Sequence, residues 1–482
     1  MDSRPNILLL IADQFRGDCL SIENHPVLST PNLDDLAAQG VFFHRAYSTC
    51  PSCIPARRAL LTGLHPAANG LVGMEGGHTI ETPTLPGELR RAGYQTAFIG
   101  RMMHQHPATA RYGYEHFTST YFDSPDDEYG KDLARAPYGP SDLRGSGISN
   151  NGWTARPWHL DESLHPTNWV TRKNREFLRS ADETCPLFLT ASFQGPHPPL
   201  TPPAFYMERY LRCELAEPRI GAWTEPPPLH SGIEARRVHL QGERLRNTLA
   251  GYFGMINHLD DQLYWLIGEF MQRSRNLQRE WLVVFTSDHG EMLGDHYLFR
   301  KCEPYEGSAR IPFIFRASPG LRFAAGIRVD SPVCLEDLFP TLAELAGLKE
   351  GPSVDGHSLV PVLRGESTQV RTLLHGEHAR QYADEQAHHF VTDGCWKYIW
   401  RPLTGVEQLF DLRTDPFELQ DLSTIRIDKK SFFRNELVDI LKGRPEGFVN
   451  SRGDLQTVQQ SPRWIGPPLR GTSRKTSKIS AN

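Results

Sequence analysis

The chain has 482 residues, of which 39% are hydrophobic and 23% charged, the composition of an ordinary globular protein large enough for one big core and a smaller one. Its 52 basic residues against 57 acidic ones leave a net charge of -5, which argues against a nucleic-acid binder. No run of about 18 apolar residues occurs, so no membrane span is expected, and the eight cysteines are scattered as in a reduced compartment rather than grouped as a disulfide framework.

The first element, NILLLIAD, is an uninterrupted apolar run ending at Asp13. It reads as a strand rather than a secretory leader because no small-residue cleavage site follows, and on that reading the protein is cytoplasmic. Next comes STCPSCIPARRALLTG, residues 48–63, which sets Cys50 and Cys53 beside Pro55 and Arg57. A C-x-x-C pair admits a redox or zinc role, but no second pair completes a zinc site and neither role accounts for the proline and arginine. YQTAFIGR is a further strand running to Arg101, with His104 just beyond it. Residues 105–235 are rich in Pro, Gly and polar groups and are expected to form long surface loops over a pocket; Trp153, Trp158 and Trp169 there offer faces for a sugar ring or for packing.

Within that region CPLFLTASFQGPH reads as a strand that reaches His197. The spacing of Tyr252, Ile256, Leu259, Leu263 and Leu266 predicts a long amphipathic helix. EWLVVFTSDH is then a strand ending at Asp288 and His289, and SPVCLEDLFPTLAELAGL a helix stopped by Gly347. Continuous apolar strands without alternation imply a mostly parallel sheet covered by helices on both faces, with ligands gathered at the carboxyl ends of the strands. Beyond residue 365, runs such as HHFVTDGCWKYIW and EQLFDLRTDPFELQDL predict a smaller α+β unit with an antiparallel sheet. The expected organisation is a large α/β domain over 1–364, an α+β subdomain over 365–450, and an extended, partly disordered tail over 451–482.

Asp13 and Asp288 at strand ends can share a hard divalent cation, with Gln14 as a carbonyl ligand and His289 as a further one. Such oxygen-rich ligation suits calcium, magnesium or manganese better than zinc, although an aspartate after a strand is also an ordinary helix cap. Arg57, Arg101, His104, His197 and Lys301 add five groups able to carry positive charge near strand ends or loops. A metal and several cations around one cleft are what a tetrahedral anion such as sulfate or phosphate requires; singly, each could equally be a surface charge.

The run Cys53-Ile54-Pro55-Ala56-Arg57, followed by Leu60, Thr62 and Gly63, resembles the signature C-x-P-x-R then L-x-T-G of the type I sulfatases of the alkaline phosphatase superfamily, with Ala56 in place of the commoner serine. NILLLIADQFRGD resembles the family's first metal strand, in the Asp-Gln form of choline sulfatases, iduronate-type sulfatases and phosphonate monoester hydrolases. TSDHGEMLGDH with KCEPYEGSARIP resembles the second metal motif, and SFQGPHPPL and EQLFDLRTDPFELQDL match further family segments. One motif departs: the family reads Gly-Lys-x-His where this chain reads Gly100, Arg101, Met102, Met103, His104, so a point donor becomes a planar fork and the histidine comes one residue late.

The resemblance implies an alkaline phosphatase-like α/β fold and sulfuric ester hydrolysis, on a sulfated carbohydrate or small organic sulfate. It implies that Cys53 is oxidised to formylglycine by a formylglycine-generating or anaerobic maturase enzyme. The metal, most simply Ca2+ with Mg2+ or Mn2+ as alternatives, would lie among Asp13, Gln14, the modified Cys53, Asp288 and His289. Arg57, Arg101 and Lys301 would take up charge on the sulfate, His197 with Lys301 would protonate the departing alcohol, and His104 would accept a proton as sulfate is expelled. His375, Glu377 and His378 are candidates for a sugar hydroxyl or ammonium group, with a structural role equally open. A phosphonate monoester or phosphodiester hydrolase, and a catalytically weak glycan-binding protein on the same fold, are the competing expectations. A homo-oligomer is compatible with each.

Overall fold

The computed structural model describes residues 4–102, 105–120, 127–136, 146–229, 232–348 and 351–466. Its strands in chain order are β1 (Asn6–Asp13), β2 (Val41–Phe43), β3 (Ala46–Tyr47), β4 (Gln95–Gly100), β5 (His116–Ser119), β6 (Leu187–Pro196) and β7 (Trp281–Ser287). They are followed by β8 (Phe313–Ala317), β9 (Ile327–Val329), β10 (Val333–Cys334), β11 (Leu374–His378), β12 (His388–Thr392), β13 (Trp396–Trp400) and β14 (Glu407–Asp411). Eight form one sheet in the order β5-β4-β6-β1-β7-β8-β2-β9, parallel throughout except for β8. A four-stranded antiparallel sheet, β11-β12-β13-β14, lies towards the C-terminus.

The unbroken apolar run of β1 is explained by burial on both of its faces. Leu8, Leu10 and Ala12 face one core with the long helix Gly242–Asn276 and the helix Pro166–Ser180. Ile7, Leu9 and Ile11 face a second core with the helices Cys53–Thr62, Leu85–Arg91 and Leu338–Leu345. The five residues whose spacing predicts the long helix are all buried on it, and Gly347 takes a positive φ of 74° just past the later one. The tryptophans of the expected loop region turn inward: Trp153, Trp158 and Trp169 are buried in the first core and offer no face to a sugar. An indole gains more from that core than from water, and the Trp169 Nε1–H is satisfied by Asp132 Oδ2 at 2.9 Å.

Part of the extended segment beyond residue 450 is tied to an earlier one. Val72 N donates to Arg463 O at 2.8 Å and Ile465 N to Gly70 O at 2.9 Å, so residues 463–465 pair with 70–72 like a strand. Trp464 then stacks on His78, ring centroids 4.1 Å apart, with the Arg58 guanidinium 5.3 Å from its ring. Residues 467–482 lie outside the described residues. Among the described residues no helix is long and apolar enough to cross a membrane.

Candidate active site

Parallel register brings the chemistry to one edge of the sheet. Ala12 is level with Ser287, Asp13 with Pro196, and Gly100 with Ser192, so Asp13, Asp288, His197 and Arg101 all leave their strands at the same end. Gly100 is required there, since a Cβ would meet Ser192 O at 1.8 Å and its φ is 130°. The fifth contributor is the helix Cys53–Thr62, whose first residue is Cys53 and whose end is closed by Gly63 at φ 66°.

Cys53 Sγ is the meeting point. Lys301 Nζ lies 2.9 Å from it, His289 Nε2 3.1 Å and Asp13 Oδ1 3.6 Å. Lys301 also donates to Gln14 Oε1 at 3.2 Å and to His197 Nε2 at 3.1 Å. Both histidines have their tautomer fixed by a backbone carbonyl: His289 Nδ1 donates to Gly290 O at 2.9 Å and His197 Nδ1 to Pro198 O at 2.6 Å, which leaves each Nε2 lone pair facing the centre. Gln14 is held at φ 68°, a left-handed backbone that costs a side-chain-bearing residue roughly 1–2 kcal/mol and is sustained here by its neighbours. Its N–H donates to Asp288 Oδ1 at 3.1 Å, its carbonyl accepts from Tyr252 Oη at 2.7 Å, and its Nε2 donates to Glu291.

Arg57 is spent on the carboxylates. Its Nε donates to Asp288 Oδ2 at 2.9 Å and its Nη2 to Asp13 Oδ2 at 3.3 Å, while Nη1 reaches Arg101 O and Ser192 Oγ at 2.7 and 2.9 Å. Arg101 Nε lies 2.9 Å from Asp13 Oδ2. Three cationic side chains, Arg57, Arg101 and Lys301, therefore surround two buried carboxylates, which favours an incoming anion.

The titration of these groups follows from that arrangement. Burial pushes the Asp13 carboxyl up, but Arg101, His197, Arg57 and Lys301 outweigh it and hold it well below the usual carboxylate range. Burial and then the Asp13 charge raise the Cys53 thiol to about 12, against the pull of Lys301, so as cysteine it is protonated at neutral pH. Burial, then Lys301 and Arg101, hold His197 far below its ordinary value, so the proton of the Lys301–His197 pair sits on the amine. Lys301 itself is raised, because Cys53 and Asp13 overcome its burial.

Side chains of Asp13, Cys53, Asp288 and His289 place one ligand atom each within 4.8 Å of one another, all of them buried. Two carboxylate oxygens, an imidazole lone pair and the side-chain oxygen Gln14 Oε1, which faces Lys301, form a donor set that fits a hard divalent cation. Every expected member of the metal and cationic sets is thus brought together except His104, which lies outside the described residues.

Of the two roles open to His375, Glu377 and His378, their geometry fits the structural one. Glu377 is buried and its two carboxylate oxygens accept from Arg444 at 3.2 and 2.9 Å, while His375 Nε2 faces His389 Nδ1 at 3.2 Å. His378 Nε2 meets Ser52 Oγ at 2.8 Å, and Glu377 N donates to Thr49 O at 2.7 Å. Glu377 and His378 therefore hold the 49–52 turn that precedes Cys53, while His375 pairs with His389 across the antiparallel sheet. Sequence reasoning missed Glu291 and Ser192, which orient Gln14 and Arg57; Glu291 lies only three residues past Asp288, but a carboxylate there is indistinguishable from a solvated one without the fold.

These observations define a hydrolase of the sulfatase family, to which the chain belongs: residues 5–348 match the family described as Sulfatase, and residues 294–439 match that described as N-sulphoglucosamine sulphohydrolase, C-terminal. Among similar proteins, the arylsulfatase of Clostridium perfringens is 36% identical over 473 residues, covering 93% of this chain and 96% of that protein. The choline-sulfatase of Rhizobium meliloti is 32% identical over 438 residues, 87% of this chain and 82% of that one. The crystal structure of the phosphonate monoester hydrolase of Agrobacterium radiobacter superposes with a TM-score of 0.74 at 25% identity, covering 91% and 95% of the two chains. The fold is accordingly alkaline phosphatase-like, and the chain's family chemistry is sulfate ester hydrolysis.

Proposed function

We propose that this protein hydrolyses a sulfate monoester of a small organic or saccharide alcohol, after conversion of Cys53 to formylglycine and with a divalent cation, Ca2+ in preference to Mg2+ or Mn2+, held by Asp13, Gln14, residue 53, Asp288 and His289. The observation that carries the reading is the convergence of Lys301, His289 and Asp13 on a Cys53 thiol that burial keeps protonated near 12. A neutral thiol is a poor nucleophile at neutral pH, whereas the position is built to activate and neutralise. When bound, the cation would lower the pKa of a hydroxyl on the hydrated aldehyde and neutralise charge on the sulfate oxygens.

The chain's own residues supply the rest. Arg57 fixes both carboxylates, Asp288 through Nε and Asp13 through Nη2, and thereby sets the ligand geometry. Lys301 and Arg101 present positive charge towards the sulfate, and the N-terminus of the helix Cys53–Thr62 adds its dipole at residue 53. The Lys301–His197 pair stores the proton for the departing alcohol: the ammonium donates to Nε2, and delivery leaves a neutral amine beside a newly formed hydroxyl. His104 is assigned the proton-accepting role of the release step on family resemblance alone. Glu377 and His378 act on substrate only indirectly, by holding the 49–52 turn, and His375 packs against His389 in the antiparallel sheet.

The test is mass spectrometry of the peptide containing Cys53, from protein expressed with a formylglycine-generating enzyme, alongside turnover of sulfate monoesters. Thiol-to-aldehyde mass loss with sulfate release is expected; unmodified cysteine, or the aldehyde with no turnover of any sulfate ester, overturns the reading. A second reading, phosphonate monoester or phosphodiester hydrolysis, is favoured by the Asp13-Gln14 pair and by the superposition on a phosphonate monoester hydrolase. Relative rates on sulfate and phosphonate monoesters of one alcohol separate the two.

A further inference from the structure

The residues above account for the sulfate and for the alcohol's oxygen, and leave the alcohol's carbon skeleton without a partner. An exposed aromatic lies on a turn tied both to the residue before Cys53 and to the residue before Lys301. Tyr382, 43% exposed, follows β11 on the 379–387 turn. Four residues earlier on the same segment, His378 meets Ser52, the residue before Cys53. On its other side Tyr382 packs on Arg300, whose guanidinium carbon lies 4.6 Å from the ring centroid, and Arg300 directly precedes Lys301. Burial, then Cys302, raise the phenol above its ordinary value, against the pull of Arg300 and Lys301.

The turn is also rigidly fixed to the segment that carries Lys301. Tyr382 N donates to Gln386 Oε1 at 2.8 Å; buried Gln386 donates from Nε2 to Glu303 Oε1 at 3.0 Å, and that same oxygen accepts from Arg236 Nε at 2.8 Å. Two acidic groups of the turn are already matched, Asp384 by Arg380 at 3.0 Å and Glu385 by Arg236 at 3.6 Å. An aromatic surface is thus presented at a set position beside Lys301, with a guanidinium against it and the turn's own negative charge paired.

We propose that Tyr382 is a specificity-determining residue, the wall on which the ring of the ester's alcohol packs, so that esters of alcohols with a flat apolar face, aryl or pyranose, are preferred over a cationic alcohol. A flat ring gains contact and dispersion on the phenol. A trimethylammonium group would gain from the ring face but meet Arg300 and Lys301 at close range, and in a half-buried site the repulsion outweighs it. The proposal rests on the ester-hydrolase reading above but not on whether sulfur or phosphorus is attacked.

The experiment uses full-length protein made with the maturation enzyme. Wild type, Tyr382→Ala and Tyr382→Phe are compared for KM and kcat on para-nitrophenyl sulfate, glucose sulfate, choline sulfate and para-nitrophenyl phenylphosphonate. Binding of para-nitrophenyl sulfate to Cys53→Ala protein, with and without Tyr382→Ala, is measured by calorimetry. Tyr382→Ala is expected to raise KM for the ring esters and weaken calorimetric binding by about three- to tenfold, with kcat little changed, while Tyr382→Phe stays near wild type and choline sulfate is unaffected. A rise confined to the nitrophenyl esters assigns an aryl alcohol, and one confined to glucose sulfate a pyranose. Unchanged KM and affinity for every ring ester, equal losses on choline sulfate, or a loss in kcat alone overturns the proposal. Cleavage of the phosphonate but of no sulfate overturns the sulfatase reading instead, and the Tyr382→Ala effect is then read on the phosphonate's ring.

Discussion

Replacing Arg57 by alanine tests whether the two carboxylates of the site depend on it. The guanidinium lies 2.9 Å from Asp288 Oδ2 and 3.3 Å from Asp13 Oδ2, with both aspartates fully buried. At an effective dielectric of about 20, unit charges at such separations attract by about 5–6 kcal/mol each before desolvation is counted. Desolvation offsets much of this, and removing one partner from a buried ionic set costs about 3–5 kcal/mol because the remaining charge is stranded. Arg101 and Lys301 stay in place, so the expected loss lies near the lower end, about 3 kcal/mol. Urea denaturation of metal-free protein at neutral pH, followed by tryptophan fluorescence, measures it. Saturating Ca2+ should return most of the loss, since the cation substitutes for the missing charge and binds only the folded site. Adding Asp288→Asn to Arg57→Ala should destabilise by less than the two single changes together. A loss under about 1 kcal/mol, or strictly additive effects, would show that the carboxylates do not need the guanidinium, and the positioning role would have to be abandoned.

Lys301→Met should lower kcat by about a hundredfold to a thousandfold, the usual size for one preorganised charge at a reacting centre. It should also let His197, relieved of a neighbouring ammonium, titrate closer to its ordinary value; a ring-proton titration that does not move upward counts against the pairing. Asp288→Asn should reduce bound divalent metal, read by elemental analysis of dialysed protein, and unchanged metal content would remove it from the ligand set. Because the Asp13 carboxyl is held below its unfolded value, it contributes stability that is fully present above about pH 4 and is lost as pH falls through the folded value. Acid unfolding should therefore begin at higher pH in Asp13→Asn than in wild type, and an unshifted acid transition would contradict the electrostatic account.

Much of the site was legible because its residues follow apolar strands. A run such as NILLLIAD can only be buried on both faces, and a parallel sheet sends every such run to the same edge, so Asp13, Arg101, His197 and Asp288 were predictable neighbours. What escaped was the next layer, Glu291, Ser192 and the Ser52–His378 contact, because nothing local distinguishes a buried partner from a solvated polar residue. Which of their two open roles Trp153, Trp158 and Trp169 take, and the pairing of 463–465 with 70–72, could not be read for the same reason. Their environment is made by segments far away in the chain, and a Pro- and Gly-rich setting or a polar terminus says nothing of it.

The burial of the 48–63 segment has a consequence for timing. From Arg45 to Gly63 every residue except Ile54 is buried, and Cys53 lies under Lys301, His289 and Asp13, which come from segments up to about half the chain away. Another protein cannot read Cys53, Pro55 and Arg57 side by side once β1 and β7 have paired. Any enzyme that alters this thiol has its opportunity while the chain is still emerging or unfolded, before the residues from Asp288 to Lys301 arrive. On the formylglycine reading proposed above, the packing that preorganises the site thus also sets a deadline on its own completion, and a molecule that misses it folds around an unmodified cysteine that only unfolding would expose again.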